Sequence, residues 1–471
     1  MNFIDYFFKN FKDVLFSLDG VLNPEVPAMN YAGLIAAASI DSSQLVLSIL
    51  RCAIEALDKA YCESSLRKSS YHIRNRPART LITFFGELTY RRYLYNHKSD
   101  KKSYFCFLDH VLGIPPHIQY DTCIRAELVE TTLSQVSMGE AGRIVGEKIK
   151  GFSIDKDRRQ KKAISRQTVA NIMHSLPDYV FEVARSQTTP ETIFIIADEK
   201  YKSLQGEKRD DGKAKKHMTK LCIIFEGIKK ECKGRYKLIN KYAVAGHEAN
   251  FWDIVFDVLN KRYDLEKIKT ITIMGDGASW IKKGAEDLKM NEIETNFLLD
   301  KFHTMQAVNH ISKTFAPALR NYVQEDEKED FKMMLEIIKQ NYDPKRQERM
   351  DEKAKYLLNN WRSIQLMYHK SSFGCPMESQ IQHVLASKIS SVPKAYNREY
   401  LKKLVKLLAE KENGTDIKAL YLTGIYKANE NNVVNMEEPM DWSIFDKSPD
   451  NYDKNNSGKS IARLLKKISQ N

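Results

Sequence analysis

Three short apolar runs stand out along the chain, and each stops at an aspartate: Ile193–Ala197 before Asp198, Thr270–Gly275 before Asp276, and Thr295–Leu299 before Asp300. Runs of this length, rich in Ile, Leu and Thr and closed by polar residues, predict buried strands. Two further strands are predicted over Met218–Glu226 and Arg235–Val244, joined by a polar connection from Gly227 to Gly234. Connections this short permit antiparallel hairpins and leave no room for a parallel crossover. Apolar residues at 251, 252, 255, 258 and 259 have helical spacing and predict a helix over 247–263. A short helix near Trp280–Leu288 and another starting about Phe302 complete the central stretch.

Three antiparallel strands, a helix, then strand, helix, strand and helix is the ribonuclease-H-like order. The first and fourth strands lie side by side in that order, so Asp198 and Asp276 are expected to meet. Carboxylates at the carboxyl ends of buried strands sit where open α/β sheets place ligands. The expected fold class is therefore an α/β catalytic core with a ribonuclease-H-like mixed sheet and a helical insertion. A small β unit and a helical, helix-turn-helix-like region precede it. The boundaries expected are a helical region over 1–78, the β unit over 79–120 and the helix-turn-helix-like region over 121–180. The core is expected over 190–305 and 370–425, interrupted by the insertion at 306–369, with a polar tail over 430–471.

The flanking pattern adds candidate contacts. Arg and Tyr interleave from Arg79 to Tyr95, which suits either a phosphate backbone or half-buried strands with a solvated face. Ser165 is a plausible N-cap for a helix opening Ser165-Arg166-Gln167. The linker before it carries Arg158, Arg159, Lys161 and Lys162. A helix-turn-helix reads bases from the first turn of its second helix, and a basic linker suits phosphate contacts; a solvated helical hairpin is the alternative. Pro376 and the apolar residues Ile381, Val384, Leu385 and Ile389 predict an amphipathic helix over 376–390, with Glu378 in its first turn.

Charge and cysteine usage narrow the setting. The 471 residues carry a net charge of +13, which favours a polyanionic partner. The seven cysteines form no CxxC pair, pointing to reduced thiols and away from a zinc ribbon. The most apolar window, Tyr31–Leu50, is broken by Asp41-Ser42-Ser43-Gln44 and cannot span a bilayer. Asp5, Lys9, Lys12 and Asp13 near the amino terminus argue against a signal peptide.

Converging carboxylates repel one another unless a cation joins them. Phosphodiester cleavage with two Mg²⁺ (or Mn²⁺) ions needs such hard oxygen ligands. Asp198, Asp276 and Glu378 form one candidate set, and Asp300 with His303 lies beside it. Each has a bland alternative. A strand-closing Asp can simply cap the next helix, Asp276-Gly277 can be a plain turn, Glu378 can favour a helix dipole, and His303 can be a packed core histidine.

Several stretches carry a family resemblance: Arg79–Tyr90, Ala197-Asp198 with Ser203-Leu204-Gln205, Gly275–Gly284, Leu299–His303 and Glu378–Ala386. In these the sequence resembles the ISLre-type insertion-sequence transposases, DDE enzymes of bacteria related to the Mutator-like group. The resemblance implies that Asp198, Asp276 and Glu378 bind metal and that Asp300 and His303 form the D-x-x-H signature. It implies double-stranded DNA as partner, both terminal inverted repeats and target, an oligomer of the chain on that DNA, and a cytoplasmic, nucleoid-associated protein without membrane contact. The family commonly has Asp-Gly after its first strand and Glu-Gly-Asn at its third acid. Here Glu199 follows Asp198, and Ser379-Gln380 follows Glu378. A ribonuclease-H-like nuclease without strand transfer, and a catalytically silent DNA-binding protein, are the competing functions.

Overall fold

The computed structural model describes residues 31–99, 104–134, 137–149, 164–232, 235–290, 292–370, 382–389 and 395–424. The chain divides into two compact units, residues 1–173 with 416–471 and residues 174–415.

The first unit opens with helices α1 (Tyr31–Glu63) and α2 (Ser65–Ser70). Ser64 caps α2, its Oγ accepting the Arg67 N–H at 3.2 Å. Strands β1 (Tyr71–Asn75), β2 (Ala78–Thr83), β3 (Gly86–Arg91) and β4 (Leu94–His97) follow. They form two antiparallel pairs, β2 with β3 and β1 with β4, so pairing starts at Tyr71 rather than Arg79. The Arg–Tyr interleaving has an inward purpose. Arg79, Tyr90 and Tyr95 are buried. Asp109 pairs with both Arg79 (2.9 Å) and Arg92. Asp109 belongs to the short helix α3 (Phe107–Val111). Helices α4 (Thr122–Ser134), α5 (Met138–Ile149) and α6 (Arg166–His174) follow.

The second unit is built on a mixed sheet. Its strands are β5 (Thr192–Lys208), β6 (Ala214–Phe225), β9 (Tyr242–Gly246), β10 (Thr270–Gly275) and β11 (Glu294–Leu299), in the spatial order β11-β10-β5-β6-β9. The β5–β6 and β6–β9 pairs are antiparallel, whereas β10 runs parallel to both β5 and β11. A two-residue strand, β12 (Ala395–Tyr396), pairs with the far end of β5. The third strand expected over Arg235–Val244 is in fact two. Residues Gly227–Cys232 (β7) and Arg235–Ile239 (β8) form a separate hairpin, and the chain turns at Asn240, whose φ is +48°, before entering β9. Alternation continues smoothly through both pieces, so period alone does not reveal the break.

Register sorts the sheet into two faces. Ile193, Ile195 and Ala197 align with Ile271 and Ile273 on one side and Ile224 and Cys222 on the other. This face packs on Phe251, Trp252 and Val255 of helix α7 (Phe251–Arg262) and Ile281 of α8 (Ser279–Asp287). On the opposite face Met274, Leu298 and Phe194 meet Met367. Helices α9 (Lys301–Ile311), α10 (Ala316–Gln324), α11 (Lys328–Lys339), α12 (Pro344–Asn359) and α13 (Trp361–Lys370) make up the helical insertion. Helix α14 (Arg398–Glu412) lies along β9, and Asn413 at its end exchanges both amide hydrogen bonds with Ala243 (2.7 and 3.0 Å). No helix among the described residues is long and apolar enough to cross a membrane.

Helix α8 approaches α7 closely at Gly284, where an added Cβ would sit inside the Trp252 ring. The ring has little freedom to yield, since it is buried and its Nε1 donates to the Trp280 carbonyl at 2.6 Å. Alanine favours a helix over glycine by about 1 kcal/mol, but overpacking costs about 1–3 kcal/mol. Gly284→Ala is therefore expected to be a net destabilisation, lowering the urea midpoint; an unchanged or raised midpoint would contradict this packing.

Candidate functional site

The site starts from the register of β5 against β10. Their last paired residues are Ile196 and Met274. Asp198 and Asp276 each lie two residues further on, so the period of two keeps them on one face and at one end. Asp198 does not close its strand, as its sequence suggested. β5 continues to Lys208 against β6, and Asp198 marks only the place where the parallel partner leaves. Asp276 does follow the last residue of β10.

Two glycines make the approach possible. A Cβ at Gly275 would stand 2.8 Å from the Ala197 carbonyl oxygen. Gly277 has a φ of +88°, and a Cβ there would meet Leu299 at 2.9 Å. The turn reading of Asp276-Gly277 holds in part, because Asp276 Oδ1 accepts the Ala278 N–H at 2.9 Å.

A third carboxylate joins them. Oxygens of Asp198, Glu199 and Asp276 lie within 4.8 Å of one another. Oxygens around one Mg²⁺ or Mn²⁺, at ~2.1 Å from the metal, stand roughly 3–4 Å apart, so the cluster fits a hard divalent ion. Strand alternation points Glu199 away from Asp198, which is why its sequence position did not nominate it. On the α8 side its carboxylate is held by the Trp280 Nε1–H, which donates to Oε2 at 2.6 Å. The available signal was an acid at a position where the resembling family commonly has glycine.

Crowding of like charge appears in the acidities. Burial raises the Asp198 carboxyl to about 6, with Asp276 and Glu199 adding in the same direction and the Glu199 N–H opposing. Glu199 is also raised, first by burial, against the Trp280 hydrogen bond.

Asp300 and His303 form the adjoining element. Asp300 is buried at the N-cap position of α9 but makes no cap hydrogen bond with its side chain. Its Oδ2 faces His303 Nδ1 at 2.9 Å. That hydrogen bond raises the pKa of His303 despite burial, with Asp276 and Asp198 contributing. The His303 side chain is 31% exposed. It lines a cavity of about 190 Å³ with Asp276, Gln306, Ala307, His310, Lys353 and Tyr356, which sets aside the packed-core alternative. The Tyr356 hydroxyl donates to the Asp276 carbonyl at 2.6 Å, tying α12 to the turn.

Other predicted residues fall elsewhere. Glu378 lies outside the described residues, as do Arg158, Arg159, Lys161 and Lys162. Ser165 caps α6 as expected, its Oγ accepting the Thr168 N–H at 3.1 Å. Arg166 and Gln167 are exposed in the first turn, with Gln167 Nε2 donating to Asn171 at 2.8 Å. Gly142 of α5 abuts the carbonyl of Ile164, two residues before α6, and faces Val169 of that helix.

A carboxyl with a folded pKa of about 6, against an ordinary value of 3.8, holds its proton to higher pH in the folded state. Stability of the metal-free chain should then fall as pH rises from about 4 to about 6, by about 1–3 kcal/mol. Asp198→Asn should remove most of that slope in urea titrations, leaving the smaller part due to Glu199. Above pH 6, Mg²⁺ should raise the melting temperature of the wild type but not of Asp198→Asn.

Residues 28–423 match the Uncharacterised protein family (UPF0236). Among its relatives in Caldanaerobacter subterraneus subsp. tengcongensis, UPF0236 protein TTE2489 is 28% identical over 83% of this chain and 80% of its own length. A second relative there, 28% identical over 83% of this chain and 79% of its own, carries eleven locus names from TTE0033 to TTE2212. Among solved structures, the Drosophila P element transposase strand transfer complex aligns over 72% of this chain and 90% of that chain, at 12% identity and a TM-score of 0.21. With its match spanning most of the sequence, the chain belongs to the UPF0236 family.

Proposed function

We propose that this protein is a DDE-type DNA transposase of an insertion sequence, of the ISLre type that its motifs resemble. The observation that carries the reading is the meeting of Asp198 and Asp276 on neighbouring parallel strands, with Glu199 beside them. Three antiparallel strands followed by two parallel ones supports the ribonuclease-H-like reading of the sheet. A relative with eleven loci in one genome supports mobility, since copies accumulate where a gene moves itself.

Asp198 and Asp276, with Glu378 as the third acid, would hold two Mg²⁺ or Mn²⁺ ions. When bound, those ions lower the pKa of the attacking water or 3′-hydroxyl and offset charge on the leaving oxygen. The protein's own part is positioning. Asp300 accepts a hydrogen bond from the His303 Nδ1–H, fixes the ring and favours its charged form, which suits a hydrogen bond to a phosphate oxygen. Tyr356 keeps the Asp276 turn in place. The substrate is double-stranded DNA, the element's terminal inverted repeats first and target DNA second, bound by an oligomer of the chain. Arg166 and Gln167 would read bases, while Arg158, Arg159, Lys161 and Lys162 would contact phosphates.

The direct test supplies the full-length chain with Mg²⁺ and duplex DNA carrying the flanks of its own gene. Nicked 3′ ends and products joined to a second duplex are expected. Asp198→Asn and Asp276→Asn should each cut at least about 100-fold more slowly, a loss of about 3 kcal/mol, while still binding DNA. Normal cleavage by Asp276→Asn would refute the assignment. Cutting without joining would leave a nuclease, and intact DNA with specific binding would leave a silent binder.

A separate binding measurement addresses α6. Replacing Arg166 and Gln167 by Ala should reduce discrimination between the flanks and unrelated DNA about tenfold or more. Neutralising Arg158 and Arg159 should instead weaken binding to both and flatten its salt dependence. Unchanged discrimination in the first variant would move base reading away from this helix.

A further inference from the structure

Beside the carboxylates, the groove between α9 and α12 has a lining that the catalytic reading does not use. His303, Gln306 and His310 follow one another along α9 at spacings of three and four, a single stripe on that helix. Across from them α12 contributes Lys353. Lys353 is exposed and pairs with no carboxylate among the described residues, although α12 also carries Glu348, Asp351 and Glu352. Asp351 is engaged elsewhere, with Lys339 of α11 at 2.8 Å. Arg349, one turn before Lys353, is likewise exposed. Away from Asp276, Gln306, His310 and Lys353 can each offer the groove a side-chain N–H, and one of them is a cation.

Size and length say what such a groove can take. At about 190 Å³ it is smaller than the ~300–1,000 Å³ that encloses a small-molecule ligand. It suits a passage better than a pocket. From His303 to His310 is seven residues, or roughly 10 Å of helix. Along the axis of B-form DNA a strand carries a phosphate about every 3.4 Å, and its winding backbone spaces them farther apart, so one or two steps of backbone fit alongside.

We propose that this groove seats the DNA strand that runs away from the bond at Asp276, with its backbone phosphates against His310 and Lys353. The proposal rests on the DNA-cleaving reading above for its direction, but the seating itself is a binding property that does not need cleavage. It also assigns the helical insertion a role, as one wall of the strand's path.

The test uses the full-length chain without metal, in chelator, and a fluorescein-labelled single-stranded oligodeoxynucleotide of mixed sequence. Anisotropy is followed against salt. Lys353→Ala should weaken binding about three- to tenfold and lower the slope of log affinity against log salt by about 0.7, one phosphate contact on a single strand. Adding His310→Ala should weaken it further, and Lys353→Arg should restore the slope. Lys332→Ala, on α11 and paired with Glu329, should behave as wild type. Inorganic phosphate should compete only weakly if a strand is the ligand; full displacement by phosphate at the wild-type affinity would overturn the strand assignment. Wild-type affinity and slope in the Lys353→Ala/His310→Ala pair would overturn the groove itself. Since no metal is present, that failure is separable from a failure of cleavage, which would count against the catalytic reading alone.

Discussion

Two half-buried carboxylates of like charge, Asp198 and Asp276, are held together by nothing attractive between them. What holds them is backbone: the parallel ladder of β5 with β10, which stops two residues short of both. Apolar residues on either face of that ladder anchor it, from Ile193, Ile195, Ile271 and Ile273 on one side to Met274 and Leu298 on the other. The hydrophobic burial of the sheet therefore bears the electrostatic cost of the site, and Asp198 records it, burial first and the neighbouring acids after, in a carboxyl raised to about 6. Such a site gains from a cation, since binding one removes the repulsion that folding imposes.

The surrounding contacts tighten the same point. Gly275 allows β10 to come against the Ala197 carbonyl, and Trp280 holds the Glu199 carboxylate on the α8 side, with an oxygen within 4.8 Å of the other two acids. Lys220 lies near the Trp280 ring, 5.5 Å from its centroid, and donates to the Glu248 carbonyl at 2.9 Å. A cation is thus built into the wall behind Glu199, offsetting part of its charge without occupying the cluster.

Helices inserted into the α/β core supply the other wall. Asp300 begins α9 and orients His303, while Tyr356 reaches from α12 to the Asp276 carbonyl. Their packing is continuous with the sheet's, since Val308, Leu357 and Trp361 belong to the same buried cluster as Ile273. The donors of the wall are therefore carried on elements as firmly placed as the acids themselves.

Local patterning was enough to place the strands ending near Asp198, Asp276 and Asp300, the helices between them, the Ser165 cap and the pairing of first and fourth strands. Those features rest on periods of two and 3.6 and on where apolar runs stop, all of which the amino-acid order contains. The third strand eluded it because alternation runs unbroken through the turn at Asn240, which only pairing partners divide. Arg79 and Arg92 read as surface residues until Asp109, distant in sequence, drew them inward. Glu199 was hidden by the alternation rule itself, and its carboxylate is held beside the acids by the Trp280 side chain, 81 residues on. The cavity of His303, His310 and Lys353 required two helices to be laid side by side. For Arg79, Glu199 and the cavity the deciding partner lies outside the local stretch, and the energy that selects it comes from burial and hydrogen bonds that form only once the tertiary structure has closed.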